Sequence, residues 1–523
     1  MSAGLFAGYD PAEFFDEVFT SDGGVRPHYD ALIRRLGGFG ADELSRREKL
    51  RDAAFHAQGI TFTVYGEGDG IERTFPMDLI PRVIPAQEWA EVEKGLVQRV
   101  TALNRFLDDL YVGEQGIVRD GIIPRWLVLS SDGFERNAHG LAVTQGARCV
   151  VAGIDLVRDI KGEYVVLEDN LRNPSGISYV LENRAAMARV LPAAFQDHSV
   201  RSVDHYGFML HDALQNAAPP AAGDEPTVVV LTPGVYNSAY FEHAFLARRM
   251  GVELVEGRDL VVDDHVVSMR TTHGLRRVDV IYRRIDDRFL DPVVFHPDSQ
   301  LGVPGLMAAA RAGNVTISNA VGNGVADDKA VYAFVPEMIS YYMNEEPILS
   351  NVTTYLLWEE DQRAEVLERL DQLVVKPVAE SGGYGMLIGP ASTDAEVELF
   401  RKKITADPRG FIAQEVVSLS RHPTLVDDHV EGRHIDLRPF VISGEKVEVV
   451  PGGLTRVALR RGSLVVNSSQ GGGSKDTWIL APDSGLDEVG HSEAEQRDDL
   501  DAADERETPD PRVAPEPREA EAP

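Results

Sequence analysis

The sequence predicts a multidomain α/β protein with α+β elements, and three observations carry that prediction. From Thr227 onward, short β-branched runs alternate with amphipathic helical segments, the pattern of a parallel sheet. Across residues 1–110 the apolar side chains recur at helical spacing instead. Between these stretches, and again near residue 440, paired apolar runs joined by Gly-bearing turns read as antiparallel hairpins. At 523 residues the chain exceeds one hydrophobic core, which predicts two to four domains.

Residues 1–110 are predicted to be mostly helical, with helices at Asp42–His56 and Ala86–Tyr111; Val92, Leu96, Val100, Leu103 and Leu107 mark the buried stripe of the second. Residues 111–225 hold strands at Val150–Val157 and Glu163–Leu167, then helices at Asn183–Gln196 and His205–Asn216. The Pro/Ala/Gly-rich stretch Ala217–Pro226 reads as a boundary. Residues 226–320 predict strands at Thr227–Leu231, Val252–Val255, Val278–Tyr282 and Val315–Ser318, with a helix at Ala239–Met250. Ligands bind parallel sheets at the carboxyl ends of strands. Thr232, Asn237, Ser238, Arg283 and Arg284 are therefore candidate substrate contacts, with capping or turn roles as the alternative. Residues 321–483 predict helices at Lys329–Asn344, Glu359–Leu370 and Thr393–Ile404, strands at Leu373–Val378 and Phe411–Val417, and a hairpin of Leu437–Ser443 with Lys446–Pro451. From Ser484 the chain holds fourteen acidic residues against four arginines and almost no large apolar side chains, so residues 484–523 predict a disordered acidic tail.

The formal net charge of −32 argues against nucleic-acid or anionic-membrane binding, both of which need basic surfaces. Cys149 is the one cysteine, so no intrachain disulfide forms. No apolar run reaches membrane-spanning length and the N-terminus lacks signal-peptide features, which makes a cytoplasmic protein the default expectation. The tail suits a docking arm for a protein partner, or a passive solubiliser.

The most informative stretch runs from Ile154 to Arg184. If Lys161-Gly162 is a two-residue turn, Ile160 faces Glu163 and Asp155 faces Glu168. Asn170 shares the Glu168 side, because strand side chains alternate. Two carboxylates opposed across a ladder repel, and a cation between them removes that penalty. Asp, Glu and Asn oxygens are hard ligands that suit Mg²⁺, so Asp155, Glu168 and Asn170 are candidate metal ligands. A solvated acidic hairpin is the alternative, and a four-residue loop at Asp159–Gly162 would break the pairing.

A second constellation suits phosphate. Val374-Val375-Lys376-Pro377 places a lysine at a strand end, and Glu380-Ser381-Gly382-Gly383-Tyr384-Gly385 follows. Glycines let backbone N–H groups approach a phosphate closely, and lysine adds a point charge. A plain hairpin turn reads the same way. Ile412-Ala413-Gln414-Glu415-Val416 is a strand turning polar, able to meet an adenine edge and ribose hydroxyls, or else an ordinary strand end. His434, Asp436 and Arg438 are predicted on one strand face. Arg438 and Arg456 are candidate anion clamps, with pairing to nearby acids as the rival reading. Asn467–Gly473 is a polar glycine loop, either a lid or a linker.

Together these residues resemble the ATP-grasp superfamily, with its Lys-Pro strand end, glycine loop, acidic hinge strand and Asp…Glu-x-Asn metal site. Here the acidic hairpin precedes the Lys-Pro strand, so the order looks circularly permuted. The wording Gly153-Ile-Asp155…Leu167-Glu168-Asp-Asn170-Leu-Arg172-x-Pro-Ser-Gly176 resembles circularly permuted ATP-grasp type 2 proteins, and the ligase domain of glutathionylspermidine synthetase carries a similar segment. The likeness covers about residues 30–483. It implies a permuted ATP-grasp fold with a Rossmann-like pre-ATP-grasp domain, and ATP and Mg²⁺ as cofactors. Asp155, Glu168 and Asn170 would hold the metal. Lys329 and Lys376 would contact phosphates, with Ser381, Gly382, Gly383 and Gly385 covering them. Gln414, Glu415 and Val416 would bind the nucleoside. Arg172, Arg438 and Arg456 would steady the transferring group. The implied activity is a carboxylate–amine ligase that forms an acylphosphate and releases ADP and phosphate, acting on small-molecule or peptide substrates. The rivals are an ATP-binding scaffold without turnover and a phosphotransferase acting on an alcohol. Cys149 sits inside a predicted strand, so no cysteine-based hydrolase is expected.

Overall fold

In the computed structural model the helix Ala86–Tyr111 threads the largest apolar cluster among the described residues. Val92, Leu96, Val100, Leu103 and Leu107 are buried along it because residues three or four apart share a helix face. Residues 4–11, 13–64, 71–143, 147–380, 385–426, 429–459, 466 and 472–482 are described. Ser381, Gly382, Gly383, residues 467–471 of the glycine loop and the acidic tail from Ser484 lie outside the described residues. The chain divides into a unit of Met1–Ala481 and another of Pro482–Pro523.

The strands predicted between residues 226 and 320 all form. Thr316–Ser318, Val280–Arg283, Val228–Leu231 and Glu253–Val255 lie in that spatial order and pair entirely in parallel. Val228–Leu231 and Val280–Arg283, the two inner strands, are buried throughout, which explains their continuous apolar runs. Sequence reading missed the antiparallel meander Leu260–Asp263, Val266–Thr271 and Gly274–Arg277 inserted between two of them. Its first turn is Asp264-His265, both with positive φ, the conformation a tight hairpin needs.

A six-stranded sheet joins distant parts of the chain in the order Ser350–Asn351, Tyr164–Asn170, Val151–Arg158, Arg438–Ser443, Val447–Val457, Gly473–Lys475. The first pairing is parallel and the others antiparallel. A four-stranded antiparallel sheet carries Thr354–Leu356, Phe411–Glu415, Leu373–Pro377 and Leu387–Ile388. Two predicted helices are each broken. The Lys329–Asn344 prediction resolves into Lys329–Tyr332 and Val335–Met343, with Pro336 in the first turn of the second, where its missing N–H costs nothing. The Asn183–Gln196 prediction resolves into Ile177–Val190 and Pro192–Asp197, again divided by a proline.

The acidic hairpin forms, but not with a two-residue turn. Asp159 N donates to Glu163 O and Gly162 N to Asp159 O, both at 3.0 Å, so Asp159 rather than Ile160 faces Glu163. Gly162 adopts φ +85°, and a Cβ there would meet the Phe15 ring at 2.4 Å. The longer loop shifts the ladder by one residue, so Leu156 pairs with Val166. A register irregularity after Asp155 leaves Leu167 without a partner and shifts the ladder back. Asp155 therefore faces Glu168, as expected, through two departures that cancel.

Candidate active site

Alternation along Tyr164–Asn170 sorts its acids onto two faces. Asp169 turns inward, where Arg99 of the central helix grips it in a two-pronged pair at 2.7 Å per bond. Arg99 also reaches Asn351 Oδ1 at 2.7 Å, clamping the parallel pairing at the sheet edge. Glu168 and Asn170 turn to the other side with Asp155. Asn170 Nδ2 approaches Asp155 Oδ1 at 3.4 Å.

The two opposed carboxylates have different surroundings. Asp155 is 1 % exposed. Arg438 holds it with two nitrogens, Nη2 at 2.6 Å from Oδ2 and Nε closer still on Oδ1. Arg456 Nη2 adds a third bond at 2.6 Å. Burial alone would raise the Asp155 carboxyl, but the two guanidiniums outweigh it and hold the group below the usual carboxylate range. Glu168 is engaged loosely: Lys329 Nζ lies 3.6 Å away and Arg438 Nη2 3.9 Å away.

Lysines from a third segment complete this surface. Lys329 opens a short helix capped by the Asp328 side chain, and its Nζ donates to Glu380 O at 2.6 Å. Lys376 ends its strand with Nζ donating to Gln414 Oε1 at 2.6 Å. Enough protein encloses this ammonium that burial lowers it to about 8, against the pull of Glu168. Gly385 follows the loop at φ +67°. Gln414 Nε2 also donates to Thr354 Oγ1 at 3.0 Å, which fixes its amide toward Lys376. Glu415 is paired with Arg369 at 3.0 and 3.1 Å and accepts from Tyr355 Oη at 2.7 Å. Val416 lies just past the strand, half-buried.

Arg172 enters from the loop after the hairpin. Its Nη1 donates to Asp286 Oδ2 at 2.7 Å, and Asp327 accepts from the backbone N–H groups of Leu171 and Arg172. This arginine lines a cleft of about 430 Å³ with Glu135, Asp286, Asp327 and the Val378–Glu380 strand end. Burial, aided by Asp287, pushes Glu135 up to about 7; burial raises Asp327 to about 7 despite Arg172. Glu135 and Asp286 were missed in sequence, because isolated acids in loops carry no spacing signal. Asp327 stood in view beside Lys329 in Asp-Asp-Lys.

Two expectations are corrected. His434, Asp436 and Arg438 do not share a strand face: His429–His434 pairs with Arg421–Val426, whereas Arg438–Ser443 belongs to the six-stranded sheet. The chain changes sheets between them, so His434 Nδ1 meets Leu419 O while Asp436 meets Arg456. Arg283 and Arg284 are buried and tied to protein groups: the first to the carbonyls of Asn319, Ile285 and Ala320, the second to Pro174 O and Glu242. Thr232 is bonded to His243, and Asn237 and Ser238 lie exposed, with Asn237 capping Ala239 N. Arg438 and Arg456 are paired to Asp155, and Arg456 also to Asp436, in this structure. Cys149 is fully buried with its thiol raised by burial, and Sγ faces Val151 O.

Among the described residues no group of three or more His, Cys, Asp or Glu side chains is arranged for a metal ion. The Asp155, Glu168 and Asn170 set includes an amide, and its donors are all hard oxygen types that suit a dication. In this structure the Asp155 oxygens are engaged by Arg438 and Arg456. No helix among the described residues is long and apolar enough to cross a membrane.

An acidic ladder on a mixed sheet stands beside a short helix that carries Lys329, and Lys376 lies on a neighbouring sheet, an arrangement in keeping with the ATP-grasp class. The comparisons agree: the family model for circularly permuted ATP-grasp type 2 matches residues 81–458, and the chain belongs to that family. A protein of unassigned function from Synechocystis sp. is 56 % identical over 473 residues, 90 % of this chain and 98 % of that one. One from Mycobacterium tuberculosis (strain H37Rv) is 56 % identical over 483 residues, 91 % of this chain and 87 % of its own length. A Frankia alni protein provisionally named glutamate–cysteine ligase 2-3 is 49 % identical over 476 residues, covering 91 % of this chain and 54 % of that protein. Among solved structures, a glutathione synthetase-like effector from Globodera pallida superposes with TM-score 0.56 at 12 % identity, over 84 % of this chain and 98 % of that one, a likeness of fold.

Proposed function

We propose that the protein is an ATP- and Mg²⁺-dependent carboxylate–amine ligase of the cytoplasm. The observation that carries this reading is convergence: Lys329 Nζ stands 3.6 Å from Glu168, although 161 positions part them in sequence and Lys376 joins from a third segment. Membership of the permuted ATP-grasp family supports ATP as the energy source. The parallel-sheet unit would be the Rossmann-like pre-ATP-grasp domain.

Asp155, Glu168 and Asn170 would hold Mg²⁺, which neutralises triphosphate charge when bound. Lys329 and Lys376 would bind phosphate oxygens, and Ser381, Gly382, Gly383 and Gly385 would cover them, as the family resemblance implies. Gln414, Glu415 and Val416 would line the nucleoside. Arg172, with Arg438 and Arg456, would steady the phosphoryl group as it passes to a carboxylate, giving an acylphosphate and ADP. An amine then attacks the acyl carbon and phosphate leaves. The acids around the 430 Å³ cleft favour a cationic amine over an anionic partner. Glu135 and Asp327, both near 7, are suited to take the proton that the amine loses. The provisional ligase name of the Frankia protein is compatible with this class, although it belongs to a protein of which this chain covers 54 %.

The test is product analysis with amino acids, peptides and polyamines as acceptors and Glu168→Gln as control. ADP and phosphate formed only with both a carboxylate and an amine is the expected result. AMP release, or turnover onto an alcohol, rejects the mechanism.

A further inference from the structure

Asp155 and Glu168 face each other across one ladder, yet their partners differ in kind. Asp155 receives three guanidinium bonds, and Glu168 has its nearest cation at 3.6 Å. The two arginines come from neighbouring strands, Arg438–Ser443 and Val447–Val457, and they too differ. Arg456 has a second carboxylate: its Nε lies 2.9 and 3.1 Å from the oxygens of Asp436, which is 1 % exposed. Among the described residues the other acid near Arg438 is Glu168, at the longer distance of 3.9 Å. A dication and a guanidinium compete for the same carboxylate oxygens, and like charge keeps both from sitting there together.

We propose that Arg438 and Arg456 serve as exchangeable counter-cations of Asp155. A divalent metal displaces them, Asp436 retains Arg456, and Arg438 is released to the anion the site receives. Asp436, which no sequence argument singled out alone, is then a positioning residue acting through Arg456. Metal and anion binding become coupled, because the ion that takes Asp155 also liberates a guanidinium. The inference rests on the reading that Asp155, Glu168 and Asn170 bind a divalent ion. The opposite arrangement is a static strut, in which the arginines hold Asp155 whatever else binds.

The test is equilibrium binding of Mn²⁺ alone to the full chain, read by the paramagnetic resonance of free Mn²⁺, without nucleotide. Arg438→Lys keeps the charge but loses the two-pronged grip, so general electrostatics is unchanged. The expected result is three- to tenfold tighter Mn²⁺ binding, absent when the same change is made in an Asp155→Asn background. Asp436→Asn should weaken Mn²⁺ binding three- to tenfold, since Arg456 then loses a carboxylate that competes with Asp155 for it. A purely structural Asp436 would lower the melting temperature and leave Mn²⁺ affinity alone. If Arg438→Lys does not fold, Arg456→Lys makes the same comparison. Unchanged affinity in the arginine variants, with wild-type binding lost in Glu168→Gln, overturns the exchange and leaves the metal site standing. No Mn²⁺ binding in wild type or variants overturns both.

Discussion

The carboxyl ends of the parallel sheet and the acidic face of the six-stranded sheet make an instructive pair. Both carry arginines at or near strand ends. At the parallel sheet Arg283 and Arg284 are consumed by carbonyl oxygens and by Asp287 and Glu242, and Arg284 fastens the loop after the acidic hairpin through Pro174 O. Glu242 in turn accepts from Gly176 N, Ser178 N and two serine hydroxyls, so both of its oxygens are engaged by the protein itself. At the six-stranded sheet the network is open. Glu168, Lys329 and Arg172 keep part of their side chains exposed and have contacts that are long or made at the cleft. Strand-end geometry gives reach, whereas a functional surface also needs charge that the protein has not fully paired with itself.

That contrast can be broken most directly by exchanging one residue from each side. Glu168→Gln should reduce ATP turnover by about two to three orders of magnitude, the size typical of losing a key electrostatic group, with little change in unfolding midpoint. Glu242→Ala should do the reverse. Leaving Arg284 buried and unpaired costs about 3–5 kcal/mol in a denaturant titration, and ATP affinity of the folded fraction should hold. If both variants lose turnover and stability equally, the two edges are not different in kind.

Lys376→Met should weaken ATP binding by about tenfold or more, given about 1.5–3 kcal/mol for a charged hydrogen bond. Isothermal titration against ATP measures it. Lys376 is depressed to about 8, so nucleotide affinity in wild type should decline as pH rises past that value.

Smaller effects belong to the cleft. Asp327 stays protonated in the folded chain up to about 7, while an unfolded aspartate ionises near ~4. Between those values the unfolded state holds fewer protons. The stabilisation is complete at low pH and disappears as pH climbs toward 7. Asp327→Asn should flatten that slope in melting curves, and should remove the rise of amine-dependent rate with pH around 7. The mildest change expected is Glu415→Gln. It removes a half-exposed ion pair with Arg369, about 0–1 kcal/mol, and should alter the ATP Michaelis constant by no more than a few fold.

Legibility varied with the kind of signal. Helix Ala86–Tyr111 was predictable to the residue because its stripe of apolar side chains is long and regular. The four parallel strands were legible because strands buried on both faces leave short, unmixed apolar runs. The opposition of Asp155 and Glu168 was anticipated with the wrong turn, and it held because the irregularity at Leu167 offset the longer loop. A bulge leaves no mark in composition, so its position could not be read. Asn319 was invisible too: its amide bonds Val151 N and O and Leu171 O, tying the parallel sheet to the hairpin as a strand would.

From the chain of residues alone come the layers of this protein, the acid and lysine strands, and the permuted order that marks its family, since periodicity, β-branching and motif wording are local properties. The partners of each charge were settled by folding. Arg438 and Arg456 on Asp155, Glu242 on Arg284 and Asp327 beneath Arg172 are pairings across roughly 40 to 300 positions. Which acid meets which guanidinium depends on strand order and register, and those are fixed only when the sheets close against the central helix.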